Sequence, residues 1–159
     1  MSIHSVRDLL AAHPIFGGFD PAALDEIAGC ATNAHFAPGQ VIFREGDAAE
    51  RVYVLRRGDV ALEISAPGKA SMTVETRHAG DVLGWGWLGP DHRAMVDARA
   101  LTEVSAVGLD AGCVRRKCDA QPELGYRMLK TWLPRLAATV RAQRLRLLDL
   151  YGTDADRRA

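Results

Sequence analysis

The run from Val41 to Leu62 constrains this chain most strongly, because it contains two Gly-Asp pairs, Gly46-Asp47 and Gly58-Asp59, twelve residues apart. Short stretches rich in valine, isoleucine, leucine and aromatic residues flank each pair. Such stretches favour β-strands, whereas Gly-Asp favours the turns between them. Short strands separated by turns at this spacing predict antiparallel β-structure that closes into a barrel or a sandwich.

The same reasoning divides the chain into three parts. Strands are predicted over 41–44, 51–56, 59–65 and 70–76, with one or two more between 97 and 109. We therefore predict a β-barrel with N-terminal helices over 1–121, a long helix over 122–151 that Gly152 ends, and a disordered tail over 152–159.

Helix signals surround the predicted barrel. Residues 2–12 have helical spacing of the apolar residues Ile3, Val6, Leu9 and Leu10, with Ser2 as the candidate cap. Asp20-Pro21 begins a second helix, whose apolar face we expect to include Leu24, Ile27, Ala28 and Ala31. Asp110 is expected to cap a short helix that reaches Lys117.

Composition limits the function classes. The chain has 159 residues, with 20 Lys plus Arg against 20 Asp plus Glu, so its net charge is zero. Nucleic-acid binders usually have an excess of basic residues, so this balance argues against a dedicated nucleic-acid-binding protein. No apolar run approaches the length of a membrane-spanning helix, and the N-terminus lacks the features of a signal peptide. The three cysteines are irregularly spaced, so we expect no structural disulfide or zinc site, and a reducing cytoplasm.

The long C-terminal helix carries a heptad pattern. Its apolar positions alternate in steps of four and three residues, as in the seam of a coiled coil. A single polar member is of the kind that fixes the register of a dimer. We predict a homodimer, the alternative being a helix packed on its own domain, and Pro134 should bend the helix. The seam consists of Leu129, Leu133, Leu136, Val140, Gln143, Leu147 and Leu150.

These features together resemble a known family. A helical prologue, a barrel with Gly-Asp turns, a Gly-rich insert and a heptad helix are similar to the effector domains of the catabolite activator/fumarate-nitrate regulator superfamily, which are cyclic-nucleotide-binding domains. The resemblance implies a mainly β fold with flanking helices, a double-stranded β-helix (jelly-roll) barrel. The matching residues are Gly39, Phe43, Glu45-Gly46-Asp47, Tyr53, Leu55, Gly58-Asp59-Val60, Gly80-Asp81 and Gly84, with Leu147 to Gly152 at the far end.

In regulators of this superfamily, the stretch that Leu147 to Gly152 resembles leads into a DNA-binding domain, and this sequence ends seven residues after Gly152. No helix-turn-helix sequence follows Gly152, and such a domain would need roughly 60 more residues. We therefore expect a stand-alone sensor that does not bind DNA by itself.

The resemblance also implies a ligand site in residues 84–94, which we call the cassette. In the family this segment reads Gly-Glu-x-x-Leu followed by Arg-Ser/Thr-Ala, where the glutamate binds the ribose and the arginine binds the cyclic phosphate. Here Trp85 occupies the glutamate position, His92 the arginine position and Arg93 the Ser/Thr position. An indole cannot accept a hydrogen bond from ribose, so we expect weak or no binding of cyclic AMP. Arg93 could replace the missing arginine if the loop shifted by one residue.

Two features of the sequence each allow two interpretations. Trp85 and Trp87 either fill the emptied pocket as core residues or line it for a flatter ligand. Thr139 either offers a hydroxyl to the base of a nucleotide, as the resemblance implies, or is a helix-surface threonine. The candidate ligand-binding residues are Leu83, Gly84, Trp85, Gly86, Trp87, Leu88, His92, Arg93, Ala94 and Thr139.

The sequence contains no constellation for catalysis or for a resident metal. Its five histidines do not have the spacing of metal ligands, and the G-x-S-x-G motif is absent. We therefore predict a non-enzymatic sensor that binds cyclic AMP or another small ligand and couples it to the dimer helix. The alternative is a dimeric scaffold that binds no nucleotide and recruits a protein partner.

Overall fold

Two four-stranded antiparallel sheets form a jelly-roll barrel, so the predicted mainly β fold with flanking helices is confirmed. The computed structural model describes residues 5–156, apart from the side chains of residue 150 and residues 152–156. The strand orders are β1-β8-β3-β6 in the first sheet and β2-β7-β4-β5 in the second. The strands are β1 (Ala31–Phe36), β2 (Val41–Phe43), β3 (Arg51–Arg57), β4 (Val60–Ile64), β5 (Met72–Arg77), β6 (Val82–Leu83), β7 (Asp97–Ala100) and β8 (Val104–Asp110).

Glycine is required at the second Gly-Asp turn for two reasons. Gly58 has φ +89°, and a Cβ at this position would lie 2.2 Å from the carbonyl oxygen of Glu103. The adjacent Asp59 N–H donates to Thr102 Oγ1 at 3.0 Å, which ties this turn to the loop between β7 and β8. Gly46 has φ +84° but open space around it. The two turns are therefore similar in backbone conformation and different in packing.

Side-chain caps determine where the helices begin. Ser5 and Asp8 form a capping box at the start of the first helix, so Ser5 is the cap, whereas Ser2 and Ile3 lie outside the described residues. Asp20 and Asp110 cap the second and third helices through the backbone N–H groups of Ala23 and Cys113. The helices are α1 (Val6–Ala12), α2 (Pro21–Ala28), α3 (Ala111–Ala120) and α4 (Pro122–Asp156), with 3-10 helices at Pro14–Phe16 and Trp85–Leu88.

The sheets and helices enclose two apolar cores. The barrel interior holds residues such as Leu55, Leu83 and Val104. The second core lies between the first sheet and the helices, and it contains Phe16 and Trp132. Because a fully buried side chain of this size contributes about 1.5–3 kcal/mol, the second core fixes the helices on the barrel.

Two element predictions were wrong. Ala31 does not belong to α2, because α2 ends at Ala28 and Ala31 begins β1, which the sequence analysis did not predict. Gly152 does not end the long helix, which continues to Asp156. Residues 157–159 of the predicted tail lie outside the described residues. Within residues 5–156, no helix has both the length and the apolar character needed to cross a bilayer.

The expectation of no disulfide was also wrong, because Cys30 and Cys113 form one, with Cα atoms 5.7 Å apart. Cys30 directly precedes β1 and Cys113 lies in the first turn of α3, directly after β8. Since β1 pairs with β8, the two cysteines meet despite being 83 residues apart in sequence. Cys118 carries a free thiol, whose pKa is raised by burial. Because Cys30 and Cys113 are paired, the cysteines no longer support the expectation of a reducing compartment.

A buried histidine connects the N-terminal segment to the barrel. The N–H of Ile15 donates to His13 Nδ1 at 3.3 Å, so the proton lies on Nε2, which donates to the Leu55 carbonyl at 3.1 Å. Burial lowers the pKa of His13, and the nearby charge of Arg135 lowers it further. The Leu55 hydrogen bond and the charge of Asp81 act in the opposite direction. The neutral imidazole is therefore the form that this contact requires.

Candidate functional site

The first half of the cassette folds into a tight turn against its second half. Leu83 is buried in the barrel interior, and Gly84 is the N-cap of the second 3-10 helix. Gly86 is buried, and a Cβ there would lie 2.0 Å from the carbonyl oxygen of Arg93. A larger residue at position 86 would therefore separate the two halves of the cassette.

The two cassette tryptophans pack on the long helix. Trp132 of α4 is fully buried and makes edge-on contacts with Trp85 and Trp87, at ring-centroid distances of 5.8 and 5.5 Å. We call Trp85, Trp87 and Trp132 the tryptophan cluster, and it contains all three tryptophans of the chain. Trp87 is buried, whereas Trp85 is half-buried and lines a cavity. The structure therefore places Trp87 in the core and Trp85 at a cavity wall.

The second half of the cassette turns toward solvent. His92 is exposed and has a left-handed backbone, with φ 50°, and Leu88 is also exposed. The exposed Arg93 donates through Nη1 to the carbonyl oxygen of Gly46 at 2.7 Å. Ala94 is buried, and its N–H donates to the Asp47 carbonyl at 2.8 Å. In this conformation Arg93 is bound to the first Gly-Asp turn.

A cavity of about 240 Å³ lies between the barrel and α4, and we call it the barrel–helix cavity. Thr139 of α4 lines it, accepting a hydrogen bond from Arg77 Nη2 at 3.1 Å and donating to the Arg135 carbonyl at 3.1 Å. Arg77 also pairs with Glu75 at 3.1 Å, and both side chains are nearly buried. The lining residues are Glu75, Arg77, Asp81, Val82, Trp85, Arg135, Ala138, Thr139 and Ala142.

Two arginines of α4 donate hydrogen bonds to carbonyl groups of the barrel, and one of them, Arg135, lines this cavity. Arg135 donates to the Gly80 carbonyl at 3.2 Å, and Arg146 donates to the Val74 carbonyl at 2.6 Å. Any change in how α4 sits on the barrel must therefore alter hydrogen bonds that border the cavity.

The outer face of α4 is apolar. Four members of the predicted seam, Leu129, Leu133, Val140 and Leu147, have between 41% and 57% of their surface exposed. Gln143 is exposed and Leu136 is half-buried, while the side chain of Leu150 is outside the described residues. Among the described residues, no element of the chain covers this face.

Sequence reasoning missed the residues that surround Thr139. Glu75 and Arg77 are charged residues on a strand, and alternation alone suggests that such residues face solvent. Trp132 and Arg135 lie on α4 outside the heptad seam, where no pattern marked them. A tryptophan within a charged helix is the one signal that could have pointed to the cluster.

The arrangement offers recognition groups and no catalytic constellation. Guanidinium, carboxylate, hydroxyl and indole groups can bind a small polar molecule. Among the residues that the structure describes, no group of three or more histidine, cysteine, aspartate or glutamate side chains could hold a metal ion.

Residues 33–121 match the model of the cyclic nucleotide-binding domain family. The CRP-like cAMP-activated global transcriptional regulator of Mycobacterium tuberculosis is 26% identical over 147 residues, which cover 92% of this chain and 64% of the regulator. The HTH-type transcriptional regulator Cmr of the same species is 28% identical over 139 residues, covering 86% of this chain and 55% of that protein. The chain thus spans less than two thirds of these curated relatives.

Solved structures agree with the family match. The N-terminal domain of a transcriptional regulator from Streptomyces coelicolor A3(2) superposes with a TM-score of 0.66 at 26% identity, over 85% of this chain and 94% of that one. A cyclic nucleotide-binding domain from Methylobacillus flagellatus KT shares the fold with a TM-score of 0.76 at 18% identity, over 91% and 82% of the two chains. The chain belongs to the cyclic nucleotide-binding domain family.

Proposed function

We propose that this chain is a non-enzymatic regulatory domain that binds a small molecule in the barrel–helix cavity and transmits its occupancy to α4. The observation that carries the proposal is that one cavity is lined by the cassette residue Trp85, the strand residue Arg77 and the helix residue Thr139. A ligand in that cavity would contact both the barrel and α4, and it can bias their relative position only through such differential contacts.

The ligand is not expected to be cyclic AMP bound in the manner that the family resemblance implies. Trp85 replaces the ribose-binding glutamate that the family resemblance implies, and Arg93 is bound to Gly46. A charge-assisted hydrogen bond contributes roughly 1.5–3 kcal/mol, so the loss of the phosphate arginine alone should weaken binding by tenfold or more. Calorimetry that measured low-micromolar or tighter binding of cyclic AMP would contradict this argument.

A thermal-shift screen of nucleotides and small metabolites tests the ligand proposal, because a ligand of the folded state raises the melting temperature. For a compound that raises it, Thr139→Val should reduce the shift. Thr131→Val is the matched control, because Thr131 makes the same hydrogen bond to the carbonyl four residues earlier, at Arg127, but lies outside the cavity. An equal reduction of the ligand-induced melting-temperature shift in both variants would argue against binding in the barrel–helix cavity.

We also propose that the chain forms a homodimer through the apolar seam of α4. Leu147→Asp places a charge in the seam and should give a monomer in light scattering. Leu145→Asp is the control, because Leu145 is 54% exposed and lies outside the seam. A wild-type chain that is already monomeric at micromolar concentration would refute the dimer.

The second candidate function is a dimeric scaffold without a nucleotide ligand. It is favoured by the packing of Trp87 into the core, which occupies part of the cassette with protein side chains. A screen in which no compound raises the melting temperature, together with a stable dimer, would favour this function over the first.

A further inference from the structure

The disulfide between Cys30 and Cys113 joins two segments that the backbone also holds together. The N–H of Asp110 donates to the Cys30 carbonyl at 2.9 Å, and β1 pairs with β8 directly beyond this bond. Neither contact involves a sulfur atom, so we expect the two cysteines to stay adjacent when the disulfide is reduced. The pair is therefore placed to open and close within the folded chain.

The two cysteines differ in accessibility. Cys30 is 6% exposed and belongs to the core between the first sheet and the helices. Cys113 is half-buried and lies in the first turn of α3, a helix of 10 residues. Thiol–disulfide exchange requires a sulfur atom that the reagent can approach, so Cys113 is the member of the pair that a reagent meets first.

The charges around Cys113 favour its thiolate form, which is the nucleophile in thiol chemistry. The N-terminal turn of a helix attracts negative charge. A Cβ on the preceding Gly112 would lie 3.2 Å from Arg116 Nη1 and 3.9 Å from Arg115 Nη2, so two guanidinium groups lie beside this turn. The carboxylate of Asp110 opposes them while it accepts the Cys113 N–H as the helix cap. The guanidinium groups and the helix N-terminus together exceed the charge of this carboxylate.

Cys118 provides the contrast on the same helix. It is also half-buried, and its thiol is free. Burial raises the pKa of this thiol, and the charge of Asp119 raises it further. The same helix thus carries one cysteine whose surroundings favour the thiolate and another whose surroundings disfavour it.

We propose that Cys113 is a redox-reactive cysteine, that Cys30 resolves its oxidation as a disulfide, and that this disulfide sets how firmly α3 holds the cassette. Arg115, two residues after Cys113, donates through Nη1 to the Trp87 carbonyl at 3.3 Å. Oxidation ties the start of α3 covalently to the segment before β1, whereas reduction leaves α3 with noncovalent contacts. This redox control goes beyond the proposed function and does not depend on the ligand of the barrel–helix cavity.

A low-molecular-weight disulfide such as oxidised glutathione supplies the oxidant. The Cys113 thiolate attacks one of its sulfur atoms, the S–S bond breaks, and one glutathione leaves as a thiolate. Cys30, having lost its proton to solvent, attacks the Cys113 sulfur and displaces the second glutathione thiolate. The two protein thiols lose two electrons and two protons, which the two released glutathione molecules take up. A dithiol reductant reverses both steps.

Alkylation of the reduced, folded full chain tests the reactivity of Cys113. Iodoacetamide near neutral pH, followed by mass spectrometry of peptides, should modify Cys113 about tenfold or more faster than Cys118, because the thiolate is the form that reacts. Alkylation of Cys118 at the same rate or faster would overturn the assignment. This measurement needs no variant, so it does not depend on the folding of a mutated chain.

Oxidised glutathione separates the roles of the two partners. In Cys30→Ser a mixed disulfide should accumulate on Cys113, because no resolving thiol follows. In Cys113→Ser a mixed disulfide should form on Cys30 about tenfold or more slowly, because Cys30 is buried. Equal rates in the two variants would contradict the assigned roles.

Hydrogen–deuterium exchange of oxidised and reduced chains tests the effect on the cassette. At short labelling times, which report local opening, reduction should speed exchange in residues 111–121 and in the cassette about tenfold or more. Arg115→Gln should remove the redox dependence in the cassette and retain it in α3. Arg116→Gln, a substitution of the neighbouring exposed arginine, is the matched control and should behave like the wild type. A uniform increase across all elements, or none in the cassette, would show a merely structural disulfide and overturn the switch.

Discussion

Replacing Gly58 by alanine should destabilise this protein far more than replacing Gly46, although the two glycines occupy equivalent Gly-Asp turns. Both have a left-handed backbone, with φ +89° and +84°. An L-residue in this conformation costs about 1–2 kcal/mol. At Gly46 a methyl group would meet nothing within 4 Å, so this strain should be the whole cost.

At Gly58 the alanine Cβ would lie 2.2 Å from the Glu103 carbonyl oxygen, so the main chain must move. The movement should break the bonds from Asp59 N–H to Thr102 Oγ1 and from Leu101 N–H to the Asp59 carbonyl. Each such hydrogen bond contributes about 1 kcal/mol. Together with the backbone strain of about 1–2 kcal/mol, Gly58→Ala should lower the free energy of unfolding by about 3–4 kcal/mol. That is a large fraction of the roughly 5–15 kcal/mol that holds a domain together.

Urea denaturation monitored by circular dichroism would give the free energies of unfolding of wild type, Gly46→Ala and Gly58→Ala. A melting curve should show a decrease of about 4 °C for Gly46→Ala and about 10 °C for Gly58→Ala. Gly46→Asn is a useful third variant, since asparagine tolerates the left-handed region. Losses that agree within about 0.5 kcal/mol for the two alanine variants would refute the steric argument.

Two further predictions concern His13 and the disulfide. Because burial lowers the pKa of His13 below the 6.5 of an unfolded chain, the unfolded state binds more protons, so stability should fall as pH drops from about 7 toward the lowered pKa. In urea titrations at several pH values, His13→Gln should reduce the change in the free energy of unfolding with pH. A variant of the exposed His35 should show the same change with pH as the wild type. Cys30→Ser should lower the free energy of unfolding by about 4.5 kcal/mol on the loop-entropy account, and reduction by dithiothreitol should do the same. Cys118→Ser, which leaves the disulfide intact, should change the free energy of unfolding little. Equal stability of the oxidised and reduced chains would exclude a stabilising disulfide.

Turn chemistry explains why much of the barrel could be predicted. The Gly-Asp pairs and the β-branched runs place β2 to β5 within a few residues of their observed positions. β1 was missed because its sequence, Ala-Thr-Asn-Ala-His-Phe, contains few strand formers and becomes a strand through pairing with β8. The disulfide depends on the same pairing, so neither feature could follow from local sequence.

The candidate site was predictable only where a family motif exists. The glycines locate the cassette in the sequence. Residue identity alone shows that other residues replace the expected glutamate and arginine. The surroundings of Thr139 required the packing of β5 on α4, because the direction of a charged side chain such as Arg77 depends on the partner element. Contacts between elements that are 62 residues apart leave no periodic signal in the sequence.

The hydrogen bond from Arg146 to the Val74 carbonyl has a consequence for aggregation. β5 is the outer strand of its sheet, and its register with β4 shifts by one residue, leaving Val74 as a bulge. An irregular edge with a cationic side chain bound to it is a poor template for another strand. The long helix therefore shields the edge strand β5, which could otherwise pair with a strand of another molecule. Detachment of α4 from the barrel would lower the colloidal stability of the protein.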